Sequence, residues 1–204
     1  MPAPLAPIDA EHPQPRAIEH AVEVLRDGEL LAYPTDSYYA LGCDARARRA
    51  VERLYALKGR DRRKPFALLV PNLADVARYA IVSNFAYRVL RQHTPGPFTF
   101  VLPSTRLVPE ILLNKQKQVG IRVPAAPVAA ELARVLGGPL VTTTATDEKG
   151  EPMADPRDIK ERFGHALTLV LDAGLLVGQP STVVSLLDDQ IEILRQGAGV
   201  LVAH

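Results

Sequence analysis

The chain has 204 residues, 47% of them hydrophobic and 23% charged, which predicts one globular domain with a substantial core and argues against a disordered chain. Its formal net charge of +1 argues against a protein that binds nucleic acid through its overall charge. A single cysteine, Cys43, excludes an internal disulfide framework, and the lack of a secretory signal or of an apolar run of roughly 20 residues predicts a cytoplasmic protein with no membrane partner.

The N-terminal region is rich in proline, with five in its first sixteen residues. This composition predicts an extended arm over 1–16 that does not pack as an element. The rest of the chain, 17–204, is predicted to form one domain. It begins with a helix over 17–27, where apolar residues recur at the spacing of one helix face.

Helices and strands alternate through the middle of the chain, and three strands follow in succession at its end. The polar segment between 35 and 47, which contains a glycine, is predicted to be a loop. This order predicts an α/β fold, a single domain on a twisted, open, mixed sheet. Strands are predicted over 30–35, 65–70, 98–103, 119–123, 140–146, 167–172, 181–187 and 191–196, and helices over 47–58, 72–80, 84–93, 127–136 and 155–163.

Several well-known functional motifs are absent from the sequence. It has no GxxxxGK[ST] phosphate loop, no GxSxG nucleophile elbow and no HExxH zinc motif. The five histidines are scattered without the spacing of metal ligands, so no metal-ligating residue is predicted. Candidate chemistry therefore depends on other groups of residues.

The first candidate is the segment YPTDSYYALG, 33–42, where a predicted strand runs into Pro34 and then Thr35, Asp36 and Ser37. Hydroxyls and backbone N–H groups at the carboxyl end of a strand are typical of ligand sites in α/β sheets. The alternative is an ordinary turn that closes the strand. Spacing alone leaves both interpretations open.

The second candidate is a cluster of five cations within seven residues, interrupted by one acidic residue, Asp61. Arginine and lysine side chains bind phosphate oxygens, by a planar fork and by a compact charge respectively. Basic residues also stabilise the end of a helix, but that role accounts for one or two of them rather than five. The cluster therefore favours contact with phosphate. Its members are Lys58, Arg60, Arg62, Arg63 and Lys64.

The third candidate is the strand TTTAT, 142–146, which places Thr142, Thr144 and Thr146 on one face. Such a row of hydroxyls suits phosphate or carboxylate oxygens, although threonine is also a common strand former.

The fourth candidate combines two arginines at strand ends with a pair of hydroxyl residues. Arg122 lies in GIRVP, Arg195 in ILRQG, and Ser181 and Thr182 are adjacent. These residues suit a clamp for a carboxylate or a phosphate. A structural ion pair is the alternative that the sequence leaves open.

Seven segments share their order and spacing with one known family: YPTDSYYALGCDA, LKGRDRRKPFALLV, TPGPFTFVLP, VGIRVP, PLVTTTAT, STVVSL and ILRQGAG. The chain resembles the YrdC/YciO-like family over 17–199. The resemblance implies a twisted open sheet with helices around a large, positively charged cavity. The family strand ends in an asparagine where this chain has Thr146. That difference, with Ser37 and Ala40, resembles the YciO-like branch.

The resemblance also implies an activity. Active members condense L-threonine, bicarbonate and ATP, with Mg²⁺, into threonylcarbamoyl-AMP and pyrophosphate. A separate tRNA threonylcarbamoyl transferase then passes the group to an adenosine in tRNA. The implied function is therefore that of an L-threonylcarbamoyladenylate synthase, a nucleotidyltransferase that acts in tRNA N6-threonylcarbamoyladenosine modification.

The resemblance assigns roles to residues near the first two candidate segments. Lys58 and Arg60 are similar to the basic pair at the triphosphate, where they would be catalytic. Lys64 is expected to bind the nucleotide beside them. Thr35 resembles a contact to the threonine substrate.

The remaining implied site residues come from the second half of the chain. Arg122, Ser181 and Arg195 resemble residues that flank the nucleotide and the substrate carboxylate. Thr144 stands where the family has a serine and keeps its hydroxyl, whereas Thr146 lacks the carboxamide of the family asparagine.

Two other functions are compatible with the sequence. The same basic cavity would suit a protein that binds double-stranded RNA or tRNA by phosphate contacts, with weak or no synthase activity. The absence of tryptophan and an aromatic content of 5% weigh against RNA binding as the sole function. The other alternative is ATP-dependent carbamoyl or acyl transfer to another amine.

Overall fold

The computed structural model describes residues 2–59, 61 and 65–202, and these residues form one sheet of ten strands. The strands are β1 (Leu5–Pro7), β2 (Leu31–Tyr33), β3 (Ala40–Asp44), β4 (Ala67–Leu69), β5 (Phe98–Pro103), β6 (Gln118–Arg122), β7 (Leu140–Thr144), β8 (Leu169–Asp172), β9 (Thr182–Ser185) and β10 (Glu192–Arg195).

The sheet is mixed, with the strand order β1-β8-β2-β3-β7-β4-β6-β5-β9-β10. β1 and β2 run parallel to β8, β4 to β6 and β5 to β9, and the other neighbours are antiparallel. The three strands predicted in succession at the end of the chain are present. β9 and β10 pair at one end of the sheet, but β8 lies near the other end, because the chain crosses the sheet between β8 and β9. The predicted α/β fold with a mixed sheet is confirmed.

Six α-helices surround the sheet in the described residues, and two short 3₁₀ turns lie at Glu110–Leu112 and Leu187–Asp189. None of the helices in this part of the chain is both long and apolar enough to cross a membrane. The helices are α1 (Pro15–Arg26), α2 (Arg48–Lys58), α3 (Leu73–Tyr79), α4 (Asn84–His93), α5 (Pro127–Leu136) and α6 (Pro156–Phe163).

The helices cover the two faces of the sheet unequally. On the first face, α2, α3, α4 and α6 contribute to one large buried cluster, for example through Leu54, Val89 and Phe163. On the second face, α1 and α5 pack against β2, β7 and β8 through residues such as Ile18 and Leu132. The buried apolar side chains of β5, β6 and β9 belong to the first cluster only. The other sides of these strands therefore remain available to form a cavity.

Alternation along β5 and β6 separates the core from this cavity. Phe100 and Ile121 pack into the first cluster. Thr99, Gly120 and Arg122 point to the opposite side, where they line the cavity. Because successive side chains of a strand point to opposite faces, one short segment supplies both the hydrophobic core and a polar cavity floor.

Local signals in the sequence account for several helix ends. α2 ends at Lys58 because Gly59 adopts a left-handed conformation with φ of 55°, which costs glycine little. Asn72 caps the N-terminus of α3, because its side chain accepts a hydrogen bond from the backbone N–H of Asp75. These signals act within a few residues.

The N-terminal region differs from the sequence expectation. Leu5–Pro7 is extended, but it pairs with β8 as the edge strand of the sheet, and Ala3 and Ile8 are buried. α1 also begins at Pro15, before the predicted boundary at residue 17. The prediction that 1–16 does not pack was wrong, because proline is compatible with an edge strand when its missing N–H is not needed for pairing.

The segment between 35 and 47 is not a continuous loop. Ala40–Asp44 forms β3, which lies between β2 and β7 with all five of its residues buried. The sequence did not predict this strand, because Gly42 and Asp44 are typical of loops. In addition, a strand covered on both faces shows no alternation of apolar and polar residues.

Replacing Ile8 tests whether the N-terminal region belongs to the core. Ile8→Ala is expected to lower the free energy of unfolding by about 2 to 4 kcal/mol, because it removes buried methyl groups next to the edge strand. His12→Ala, at a side chain that is 89% exposed, is the control and should change it by less than about 0.5 kcal/mol. Urea unfolding measures both. Equal, small effects would contradict the packed arrangement.

Candidate functional site

A cavity of about 540 Å³ lies over the uncovered half of the second sheet face. Its floor is made of small and polar side chains from β4, β5, β6 and β7, including Ala67, Thr99, Gly120 and Thr142. Register places Thr142 beside Ala67 and Gly120 beside Val101 on neighbouring strands. Small side chains keep this floor low, so that the longer side chains around it form the walls.

Lys58 lies at one end of the cavity, where α2 stops. Its Nζ donates to the backbone oxygen of Thr144 at 3.1 Å and to Oγ1 of Thr146 at 2.5 Å. The ammonium group also lies 6.0 Å from the centre of the Phe163 ring. The structure thus brings Lys58 together with two predicted site residues that are 86 and 88 positions away in sequence.

Arg122 ends β6 and is only 6% exposed. Its Nη2 donates to Oδ1 of Asp36 and, at 3.4 Å, to Oγ of Ser37. The other carboxylate oxygen of Asp36 accepts the N–H of Ala125 at 3.2 Å. The Nε of Arg122 is buried and has no hydrogen-bond partner in the described structure. A buried donor without a partner is costly, and an oxygen of a bound ligand would satisfy it.

Arg195 and Ser181 form the opposite wall. The guanidinium of Arg195 donates to the backbone oxygen of Ser181 at 2.6 Å and 3.2 Å, and to its Oγ at 3.2 Å. Oγ of Ser181 lies 3.2 Å from Oγ1 of Thr99. Thr182, the second hydroxyl residue of the predicted pair, instead donates to the backbone oxygen of Gly199 at 2.7 Å and is fully buried.

The electrostatics of the cavity favour an anionic ligand. Burial, with a smaller contribution from the charge of Arg195, lowers the pKa of Arg122 to about 10. Burial also lowers the pKa of Arg195. Both guanidinium groups still carry their charge at neutral pH. No acidic side chain is found among the described residues that line this cavity, so Lys58, Arg122 and Arg195 create a net positive field.

Thr35 lies outside this cavity. It lines a second cavity of about 280 Å³ together with Pro127 and Leu176. Its Oγ1 donates to the backbone oxygen of Tyr38 at 2.6 Å and accepts the N–H of Ser37 at 3.2 Å, which are the contacts of a turn. The next two residues of the turn, Asp36 and Ser37, link Thr35 to the large cavity, because both accept hydrogen bonds from Arg122.

Two predicted site residues, Arg60 and Lys64, lie outside the described residues. The functional assignments of all nine predicted site residues, wherever they lie, stay predictions.

Sequence reasoning missed several residues of the cavity. Thr99 lines its floor, and Asn114 and Gln118 lie at its far end, where Nδ2 of Asn114 donates to Oε1 of Gln118 at 2.7 Å. It also missed Asp36 as the partner of Arg122. The alternation of Gln118, a glycine and Arg122 along β6 was a usable signal, because it puts all three on one face.

Comparison with known proteins identifies the family. A family model for Sua5, YciO and YrdC proteins, described as telomere recombination, matches residues 23–197. The chain belongs to this family. It is 38% identical to the Escherichia coli protein YciO over 194 residues, 94% of each chain. The crystal structure of E. coli YciO matches with a TM-score of 0.92 at 36% identity, over 97% of both chains. YciO is described only as uncharacterized.

This Sua5/YciO/YrdC family includes threonylcarbamoyl-AMP synthases. The synthase of Halorhodospira halophila is 36% identical over 153 residues, which cover 74% of this chain and 80% of the synthase. The structure of P. abyssi Sua5 complexed with L-threonine matches with a TM-score of 0.86 at 27% identity, over 94% of this chain and 57% of Sua5. The family and the fold expected from the sequence are both confirmed.

The ion pair between Asp36 and Arg122 predicts a large stability effect. Asp36→Ala should lower the free energy of unfolding by about 3 to 5 kcal/mol, because it leaves a buried guanidinium without its counter-charge. The side chains of Arg122 and Asp36 are 8% and 13% exposed, whereas those of Arg134 and Glu131 are 63% and 38% exposed. Glu131→Ala is therefore the control, with an expected loss below about 1 kcal/mol. Equal losses in urea unfolding would show that the Asp36 pair is not buried in solution.

Proposed function

We propose that this protein is an L-threonylcarbamoyladenylate synthase, which forms threonylcarbamoyl-AMP and pyrophosphate from L-threonine, bicarbonate and ATP. The product would serve a downstream transferase in the N6-threonylcarbamoyladenosine modification of tRNA. The observation that carries the proposal is the convergence of Lys58, Arg122 and Arg195 on one cavity of about 540 Å³. The similarity to named synthases supports it.

The shape of the site supports a small-molecule substrate over RNA as the ligand. A cavity of this size lies within the range of roughly 300 to 1,000 Å³ that is typical of small-molecule sites. Arg122 is almost completely buried in it, within reach of a carboxylate or a phosphate that enters the cavity. Double-stranded RNA, by contrast, is bound across an extended surface of roughly 16 base pairs.

The proposed reaction requires positioning and neutralisation of charge. The amine of threonine attacks CO₂ derived from bicarbonate and loses a proton to form an N-carboxylate. An oxygen of that carboxylate attacks the α-phosphorus of ATP, a new P–O bond forms, and the bond to the leaving pyrophosphate breaks. No group of the protein needs to be covalently modified. The main requirement is a fixed set of donors for the phosphoryl oxygens in a site that limits water.

Different cationic residues would neutralise the anionic groups of the two substrates. Lys58 is held in place by Thr144 and Thr146, so its charge is fixed before the nucleotide binds. With Arg60, it would neutralise the triphosphate. Arg122, which has a buried N–H without a partner, would bind the carboxylate of threonine, and Arg195 would lie between the two groups. Preorganised charges of this kind avoid a cost of reorganisation during the reaction.

Mg²⁺ would enter with ATP. In the described part of the chain, no three His, Cys, Asp or Glu side chains lie close enough together to hold a metal ion. Mg²⁺ is commonly held by substrate phosphates and water with few protein ligands. The cations and hydroxyls of the cavity fit the phosphate oxygens of such a complex. The bound ion would supply additional neutralisation of charge on those oxygens.

The hydrogen bond that Thr146 makes supports the proposal, although the family has an asparagine at this position. Its Oγ1 accepts a hydrogen bond from Nζ of Lys58. The carboxamide oxygen of the family asparagine would provide the same kind of acceptor. Threonine at this position thus retains the contact that orients the lysine, and gives up only the amide N–H donors.

Pyrophosphate release tests the proposed function. Wild-type protein with ATP and Mg²⁺ should release pyrophosphate only when both L-threonine and bicarbonate are present. Lys58→Ala should lower turnover by about 10²-fold, the typical effect of losing one preorganised donor. Arg48→Ala is the control, because Arg48 begins the helix that Lys58 ends and pairs there with Glu52. This variant should leave turnover within about twofold of wild type.

Two outcomes would contradict the proposal. Release of pyrophosphate without dependence on threonine would point to another amine as the substrate. Full turnover in Lys58→Ala would show that this lysine has no role in the reaction. Arg60→Ala is the second variant, because its predicted role at the triphosphate requires a similar loss.

A further inference from the structure

Tyr33 is a fully buried tyrosine next to the cavity floor. It ends β2, and its hydroxyl donates to Oγ1 of Thr142 on β7 at 2.8 Å. The two residues are 109 positions apart in sequence. Thr142 is 7% exposed and lines the large cavity. Within the described part of the chain, the hydroxyl of Thr142 is the hydrogen-bond partner that links this buried tyrosine to the site.

The absence of a side chain at Gly42 makes this contact possible. A Cβ atom at Gly42 would lie 2.8 Å from Cε1 of Tyr33 and 2.6 Å from the backbone oxygen of Val141. Register places Gly42 directly between Leu31 and Thr142 on the neighbouring strands. The ring of Tyr33 therefore extends across Gly42 to reach Thr142, and any larger residue there would displace it.

The direction of this hydrogen bond follows from burial. In the described structure, Thr142 is the partner of the Tyr33 hydroxyl, and a buried O–H without an acceptor would be costly. Tyr33 therefore donates, and Thr142 accepts. The proton of Thr142 has no acceptor among the described protein atoms, and Thr142 lines the cavity. A threonine hydroxyl has one proton, which is thus left for a ligand.

The protonation state of Tyr33 supports the same direction. Burial raises the pKa of its phenol well above the usual range, although the hydrogen bond to Thr142 and the charge of Arg122 act against this increase. The phenol stays protonated at physiological pH and is a permanent donor. Arg122 and Thr142 both line the large cavity.

We propose that Tyr33 is a positioning residue, which orients the hydroxyl of Thr142 so that this hydroxyl donates a hydrogen bond to an anionic oxygen of the bound substrate. Arg122 supplies the charge at the same oxygen-binding region, and Thr142 supplies a directed neutral donor. The identity of the ligand rests on the proposed function, in which the anionic groups are the carboxylate of L-threonine and the phosphates of ATP.

A double-mutant cycle with Tyr33→Phe and Thr142→Val tests this proposal. Affinities for L-threonine and for inorganic pyrophosphate are measured by calorimetry on the full chain, and turnover is followed by pyrophosphate release. Each single variant should weaken binding of at least one of the two probes by about tenfold, the loss expected for one hydrogen bond to a charged group. The double variant should bind no more weakly than Thr142→Val alone. Thr142→Ser, which keeps the hydroxyl, should bind within about twofold of wild type.

Tyr55→Phe is the matched control for a purely structural effect. Tyr55 is 3% exposed, and its hydroxyl donates to the backbone oxygen of Ile111 at 3.2 Å, on the first face of the sheet. Both tyrosine variants should lower the unfolding temperature to a similar degree. Only Tyr33→Phe should weaken binding of the anion.

The outcomes separate this proposal from the proposed function. Coupled losses of anion binding in a protein that releases no pyrophosphate would support the role of Tyr33 and contradict the synthase. Threonine-dependent turnover with unchanged affinities in Tyr33→Phe would support the synthase and overturn the role of Tyr33. Additive losses in the double variant would also overturn that role. Failure of the wild type to bind either probe or to turn over would overturn both.

Discussion

The site depends on one constraint, which is that α1 and α5 cover only part of the second sheet face. Side chains of a strand alternate between faces, so every residue that packs into the first cluster has neighbours that point to the other side. Where α1 and α5 cover that side, it is apolar, as at Leu31 and Leu169. Beyond them it carries threonine, glycine and arginine over a cavity. The same strands therefore build the core and the floor of the site, and neither can shift in register without disrupting the other.

This arrangement places positive charge in a poorly hydrated position. Arg122 loses most of its solvent contact, and the carboxylate of Asp36 pairs with its charge. Arg195 adds a second guanidinium to the same cavity without an acidic partner among the described lining residues. Burial lowers the pKa of Arg122, because its charged form loses hydration at a cost in free energy. An anion that binds beside it would offset this cost. Stability and ligand binding are thus linked through the same residues.

The candidate site was partly predictable from the sequence. Lys58, Arg122, Thr144, Thr146, Ser181 and Arg195 were predicted from residue type and from the resemblance, and the structure places all six at one cavity. Thr35 was predicted for the same site, but it lies in a turn whose next residues hold Arg122. A motif shows that a segment is near a site. It does not show which side chain faces the ligand, because that depends on how the turn packs.

The sequence by itself determined the local elements and the family. Helix spacing, the N-cap at Asn72 and the stop at Gly59 act over a few residues, so the helices could be located without knowledge of the fold. Only the tertiary structure decided that 40–44 is a central strand and that the N-terminal arm joins the sheet. It alone decided the partners of Arg122 and Tyr33, which are 86 and 109 residues away. These contacts depend on strand order and register, and both are set by cooperative packing of distant segments rather than by any local signal.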